Sequence, residues 1–169
     1  LTGQQEQHLE ALLLENTFTV TTAHQPNIFT GPLYFIYKLI STINLAEKLK
    51  QEKVSGSVGI AHTRWATHGG VTEENAHPHT DCKGEIMVVH NGIIENYVDL
   101  RDDLIKDGYQ FHSETDTEVI VHLIHRHHAK TNNMISAIRS TTKDLKGAYA
   151  LGVIYKKEPE RMFAVRQGS

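Results

Sequence analysis

An α+β domain, with helices packed on a largely antiparallel sheet, is what this sequence predicts from about Val58 onward, and three observations carry that reading. Two apolar runs, SVGIAHTRWA beginning at Ser57 and GEIMVVHNG beginning at Gly84, read as buried strands. Helical periodicity then recurs between Val98 and Leu145. Finally, GAYALGVIY and RMFAVR alternate as strands on either side of the charged turn KKEPE, which predicts a hairpin. Strands, then helices, then a hairpin form an α+β order rather than an alternating parallel one.

The first strand enters a polar loop at HTRWATHGG, and the second ends at the turn pair Asn91-Gly92. Val98, Leu104 and Ile105 mark a helix that Gly108 stops in the helix-ending position. Val119, Ile120, Leu123 and Ile124 mark the next one, opened by a capping box from Thr115 to Glu118. Met134, Ile135, Ile138 and Leu145 mark a third.

Upstream the chain has a different character. Leu9, Leu12 and Leu13 share one helical face, FTVT alternates as a strand, and HQPNIFTGP, with its two prolines and glycine, is a loop. Leu33, Ile36, Ile40 and Ile43 predict a helix from about Pro32 to Lys50. The run QEKVSGS, residues 51–57, is polar and aperiodic and reads as a linker. The expected organisation is therefore residues 1–50, a linker at 51–57, and a domain at 58–169.

Composition narrows the functional classes. A formal net charge of -3 with dispersed Lys and Arg provides no field for a phosphate polymer, so nucleic acid is not an expected partner. No apolar run approaches the ~20 residues that span a bilayer, so no membrane association is expected. One cysteine, Cys82, excludes an internal disulfide and points to a reducing, cytoplasmic setting. The amino terminus lacks the basic start and apolar core of a secretory signal.

Three clusters place polar side chains beside buried strands: HTRWATHGG, HNGIIENY and SETDTE. Buried unpaired polar groups cost several kcal/mol, so these residues either satisfy one another or receive a ligand. The twelve histidines raise the question of a metal, through His77 and His79 or through His125, His127 and His128. Neither group has an obvious complement of three or four ligands, so no metal is expected, and the second group is read as a solvated helix end suited to the dipole.

Taken in order, HTRWATHG, NAHPH, VVHNGIIENY and SETDTEVI closely resemble the glutaminase domain of the glutamine-fructose-6-phosphate aminotransferase family, within the class II glutamine amidotransferases. The resemblance implies an incomplete αββα, Ntn-hydrolase-like fold, in which two antiparallel sheets lie between helices and the match covers about the middle half. It also implies roles. Arg64 would hold the α-carboxylate of glutamine as a planar fork, and Asp116 would hold its α-ammonium. Trp65, Thr67 and His77 would line the pocket, while the Asn91 carboxamide and the Gly92 N–H would form the oxyanion hole. The family nucleophile is an amino-terminal cysteine, whereas this sequence starts with Leu1, and the nitrogen of Cys82 is locked in a peptide and cannot act as its base. The expectation is an enzyme by resemblance that is inactive as this chain. It would use no cofactor, and in the intact enzyme a sugar-phosphate isomerase domain, absent here, would receive ammonia for glucosamine-6-phosphate synthesis.

Residues Thr19 to Leu49 resemble a second family, the bacillithiol-forming cysteine ligases, which implies a strand, a phosphate-friendly loop and a helix. Two alternatives follow: a fragment of such a ligase, or a non-catalytic chimeric fusion.

Overall fold

The computed structural model describes residues 58–62, 64 and 68–168, together with Asn44 and Lys48. The chain divides into two compact units, Leu1–Ser57 and Val58–Ser169. In the first, Asn44 and Lys48 are helical and exposed, in keeping with the helix expected at 32–50. The other elements expected upstream of Val58 lie outside the described residues.

The second unit is α+β. Its described elements are β1 (His79–Thr80), β2 (Ile86–Gly92), α1 (Tyr97–Lys106), α2 (Asp116–Thr131), α3 (Met134–Asp144), β3 (Tyr149–Tyr155) and β4 (Met162–Gln167). The strands form one antiparallel sheet in the order β1-β2-β3-β4. Val88 opposes Val153 at its centre, and β3 and β4 form the expected hairpin, with Val153 opposite Phe163.

Strand alternation sends Ile86, Val88 and His90 to one face and Met87, Val89 and Asn91 to the other. The first face is buried against α2, whose residues from Val119 to Ile124 are all inaccessible to solvent, His122 included at 2%. Leu104 of α1 and Met134, Ala137 and Ile138 of α3 complete the core. The opposite face is partly open, with Met162 at 56% exposure, and Ile60 approaches Gly152 there.

Local signals explain the helix ends. Gly108 takes φ +91°; its N–H donates to the Ile105 carbonyl at 3.0 Å, and the Tyr109 N–H to the Leu104 carbonyl at 3.0 Å. Those two bonds make a Schellman cap, which needs a residue at ease with positive φ. The capping box of α2 is only half formed. Thr115 Oγ1 accepts from the Glu118 N–H, but the Glu118 carboxylate reaches back to the N–H groups of His112 and Ser113 rather than to that of Thr115.

Two readings are corrected. The strand expected across residues 57–66 is not formed at its described positions, because Val58–His62 and Arg64 are irregular. A strand is formed instead at His79–Thr80, too short to show a period. The histidines late in α2 are not a solvated end, because neighbouring elements surround that helix. His125 Nδ1 lies 2.8 Å from the Tyr109 hydroxyl, His127 Nε2 lies 2.7 Å from Asp144 Oδ2, and the His128 ring meets Tyr155 edge-on.

Candidate functional site

The end of β2 sets the geometry. Lys156 N–H donates to the Glu85 carbonyl at 2.8 Å and Ile93 N–H to the Ala148 carbonyl at 3.2 Å, so the odd-numbered residues of β2 are the ones bonded to β3. The Gly92 N–H therefore points to the other flank, where β1, paired only with Val88 and Met87, does not reach. Glycine is required at this position: φ is +131°, and a Cβ would lie 2.3 Å from the Ala148 carbonyl oxygen. Asn91 leaves the strand on the face opposite His90 and is exposed.

Beside this strand end sits the first turn of α2. Asp116 is 3% exposed, and its Oδ2 accepts the Ile94 N–H at 2.9 Å. Its Oδ1 is 3.7 Å from His90 Nδ1, and Oδ2 is 3.9 Å from His68 Nδ1. An acid in the first turn also suits the helix dipole. The Thr117 hydroxyl bridges His90 Nδ1 at 3.0 Å and His77 Nε2 at 3.2 Å. A hydroxyl has one proton to give, so it donates to at most one of the two rings and accepts from the other or from both. His77 Nδ1 and His90 Nε2 are buried without a hydrogen-bond partner among the described residues.

A polar loop closes the near side. Arg64 Nη1 donates to the Gly70 carbonyl at 2.8 Å, and Nη2 donates to the carbonyls of His68 and Gly69. Asn75 Nδ2 donates to Glu114 Oε2 at 3.2 Å, and its Oδ1 accepts the Glu114 N–H at 2.9 Å. Glu114 Oε2 also accepts the Gly70 N–H at 3.2 Å, which ties the loop to the segment leading into α2.

Burial controls the protonation of this neighbourhood. Desolvation, followed by the nearby His62, His79, His90 and Arg64, lowers the pKa of His77 to about 3. Desolvation likewise lowers His79, against the pull of Glu118, and lowers His90, against that of Asp116. All three rings are therefore neutral near pH 7 and act as hydrogen-bonding groups rather than cations. For Glu118 burial works upward, but the nearby His122 ring and the hydrogen bonds from the Ser113 hydroxyl and the backbone of His112 and Ser113 prevail and bring it down to about 2.

Among the residues singled out from the sequence, His77 and Asp116 come together around Thr117 and His90. The Arg64 loop reaches Asp116 through His68, and Asn91 and Gly92 lie next to Ile94, which Asp116 binds. Arg64 is engaged with loop carbonyls, and Asp116 is buried beneath the strand end rather than facing solvent. Trp65 and Thr67 lie outside the described residues. The sequence reading missed Thr117 as the bridge between imidazoles, and Asn75 with Glu114 as the loop's anchor. The period-2 pattern of β2 does single out His90, since it follows Ile86 and Val88 on the buried face.

Two family models match the chain: "Glutamine amidotransferase domain" over residues 62–168, and "Bacillithiol biosynthesis BshC, N-terminal Rossmann-like domain" over residues 1–58. Glutamine-fructose-6-phosphate aminotransferase [isomerizing] of Acinetobacter baylyi is 57% identical over 126 residues, covering 75% of this chain and 20% of that protein. The enzyme of the same name from Aquifex aeolicus is 54% identical over 125 residues, 74% of this chain and 21% of that protein. The chain thus spans about a fifth of the length of these relatives. Of the solved structures, glutamine phosphoribosylpyrophosphate amidotransferase from B. subtilis, complexed with ADP and GMP, matches with TM-score 0.48 and 31% identity over 56% of this chain and 20% of its own. Another, an allosteric regulatory enzyme of purine biosynthesis, matches with TM-score 0.49 and 33% identity over 56% of this chain and 21% of its own. No helix among the described residues is long and apolar enough to cross a membrane. With the family model covering most of its length, the chain belongs to the glutamine amidotransferase domain family.

Proposed function

We propose that residues from about Val58 to Ser169 are the glutamine-holding part of an amidotransferase domain of the glutamine-fructose-6-phosphate aminotransferase kind. The observation that carries this reading is the Asp116 carboxylate, buried at the end of β2 and bonded to the Ile94 N–H, two residues beyond the Asn91-Gly92 pair. Among the described residues, Oδ1 of Asp116 accepts no hydrogen bond and has the neutral His90 ring 3.7 Å away, which leaves it able to receive an ammonium group. Arg64 would exchange its loop carbonyls for the α-carboxylate, a planar acceptor that suits its fork. Asn91 and the outward Gly92 N–H would then face the carboxamide, where one donor to a developing oxyanion is worth ~3–4 kcal/mol. Trp65, Thr67 and His77 would line the pocket.

In the intact enzyme, ammonia from glutamine would pass to a sugar-phosphate isomerase domain. Within these 169 residues, Cys82 is the only cysteine. It follows the Asp81–Ile86 backbone bond at the start of β2, while Asn91 lies five residues further along that strand, about 17 Å away at ~3.3 Å per residue. Cys82 therefore cannot attack a substrate held by Asn91 and Gly92. We read this chain as binding glutamine without hydrolysing it, and as using no cofactor in doing so.

Residues 1–50 form a separate segment in this reading, joined through residues 51–57. The family match over residues 1–58 favours a chimeric origin. The 126-residue similarity to the aminotransferase is longer than the stretch from Val58 to Ser169, so it reaches into residues 1–50 and overlaps there with the other family match, and the boundary between the two ancestries need not coincide with residues 51–57. The test is incubation of the purified chain with glutamine. Saturable binding with no glutamate released is expected; glutamate release that Cys82→Ser abolishes would overturn the reading.

A further inference from the structure

We propose that Asp81, Cys82 and His125 form a binding site for a divalent transition metal, with zinc the best chemical fit, at the opposite end of β2 from Asn91. One ligand atom from each residue lies within 4.8 Å of the others. His125 Nε2 is 3.9 Å from Cys82 Sγ and 3.9 Å from Asp81 Oδ2. A point about 2.5 Å or less from all three therefore exists, and shifts of a few tenths of an ångström reach the ~2.0–2.3 Å of zinc bonds.

Asp81 provides the independent sign of a ligand. It is 4% exposed, and its Oδ1 accepts the N–H groups of Glu85 at 2.7 Å and Ile86 at 2.9 Å, which locks the carboxylate in place. Its Oδ2 is buried with no hydrogen-bond partner among the described residues, and it faces His125 at 3.9 Å. Buried carboxylate oxygens left unpaired are costly, and a cation supplies what this one lacks. His125 is oriented from behind by the Tyr109 hydroxyl, 2.8 Å from Nδ1. With Nδ1–H donating to that hydroxyl, the Nε2 lone pair is directed at Asp81 and Cys82, the arrangement that metal-binding histidines use.

Thiolate, imidazole and carboxylate together favour zinc or cobalt over magnesium or calcium. Cys82 is exposed and the cluster opens on a cleft of about 790 Å³ that Glu73, Glu74 and His122 also line. The fourth position is thus open to water or a small ligand. A bound ion would tie the turn after β1 to the middle of α2.

Titration of the full, reduced chain with Co²⁺ tests the proposal, because Cys82 is the only thiol and a thiolate-to-cobalt charge-transfer band can come from no other residue. One equivalent is expected to produce that band together with the visible bands of four-coordinate cobalt. Zn²⁺ should displace it and Mg²⁺ should not. Cys82→Ser should abolish the band, His125→Gln should weaken binding at least tenfold, and Tyr109→Phe, acting through His125, should weaken it about tenfold. Circular dichroism of each variant distinguishes these effects from unfolding, and the exposed Cys82→Ser gives a result even if the others fail to fold. Absence of the band in the parent chain overturns the proposal. So does a band of unchanged affinity in His125→Gln, which would mean that an exposed thiol binds cobalt alone. Glutamine binding is not involved in any of these readouts.

Discussion

Asp116 and Glu118 are two buried carboxylates in the same helical turn, and their surroundings differ. Glu118 is fully employed: it accepts from the His112 N–H at 2.9 Å, from the Ser113 N–H at 2.7 Å and from the Ser113 hydroxyl at 2.6 Å, with His122 Nε2 3.6 Å away. Among the described residues, Asp116 accepts from a single N–H, that of Ile94, and has the His90 and His68 rings 3.7 and 3.9 Å away. A carboxylate that closes all its hydrogen bonds locally holds the loop before α2. One that, among the described residues, keeps an oxygen without a hydrogen bond, 3.7 Å from the His90 ring, has capacity for a ligand. Burial is nearly the same at the two positions, so the inventory of donors is what separates a structural role from a binding one.

The largest expected effect concerns the strand end that borders Asp116. Gly92→Ala places a Cβ against the Ala148 carbonyl at a positive φ and should destabilise the domain by about 3 kcal/mol, read from urea unfolding. Wild-type stability in this variant would mean that the close approach of β2 to β3 is not as described.

Next is Glu118→Gln, which keeps the size but weakens three charge-assisted bonds, one of them to a hydroxyl. A loss of about 2 kcal/mol is expected, with glutamine affinity unchanged in the folded fraction. A change in affinity without a change in stability would reverse the roles assigned to the two carboxylates.

Acid sharpens the contrast further. An unfolded histidine takes up a proton near pH 6.5, whereas His77 in the fold resists until about 3, so this contribution is complete above pH 6.5 and is lost as pH falls toward 3. Glu118 adds stability above pH 4.5 that is lost as pH falls toward about 2. Urea midpoints measured across both windows should fall in two stages, and His77→Gln should make the upper stage shallower without changing the lower one, His79 and His90 supplying the remainder. A profile with no dependence between pH 6.5 and 4.5 would contradict the neutral imidazole cluster.

Much of this architecture was legible in the sequence. The β3–β4 hairpin, β2 and all three helices follow from periodicity and from turn residues such as Gly108, because burial on one face leaves a regular trace. The strand read near Ile60 failed because a short apolar run carries no period that distinguishes it from an irregular segment. β1 was missed for the opposite reason: two residues cannot display alternation. At the site, the resemblance carried by the motifs pointed to Arg64, His77, Asn91 and Asp116. What residue type could not convey is the division of labour within SETDTE, where Ser113, Thr115 and Glu118 bond mainly to one another and to the backbone while Thr117 bridges two rings. That division depends on which way side chains turn at a helix start. The same limit hid the Asp81–Cys82–His125 cluster, whose members are brought together by the sheet edge and the middle of a helix.

Calorimetric titration with L-glutamine of the chain and of its Asp116→Asn variant tests the account most directly. Asparagine retains an oxygen for the Ile94 N–H, so the fold should persist, checked by circular dichroism, while the charge that would meet the α-ammonium is gone. Saturable binding by the parent chain, weakened at least tenfold in the variant, about 1.4 kcal/mol, is the predicted result. Equal affinity in the two proteins, or no binding by the folded parent, would contradict it.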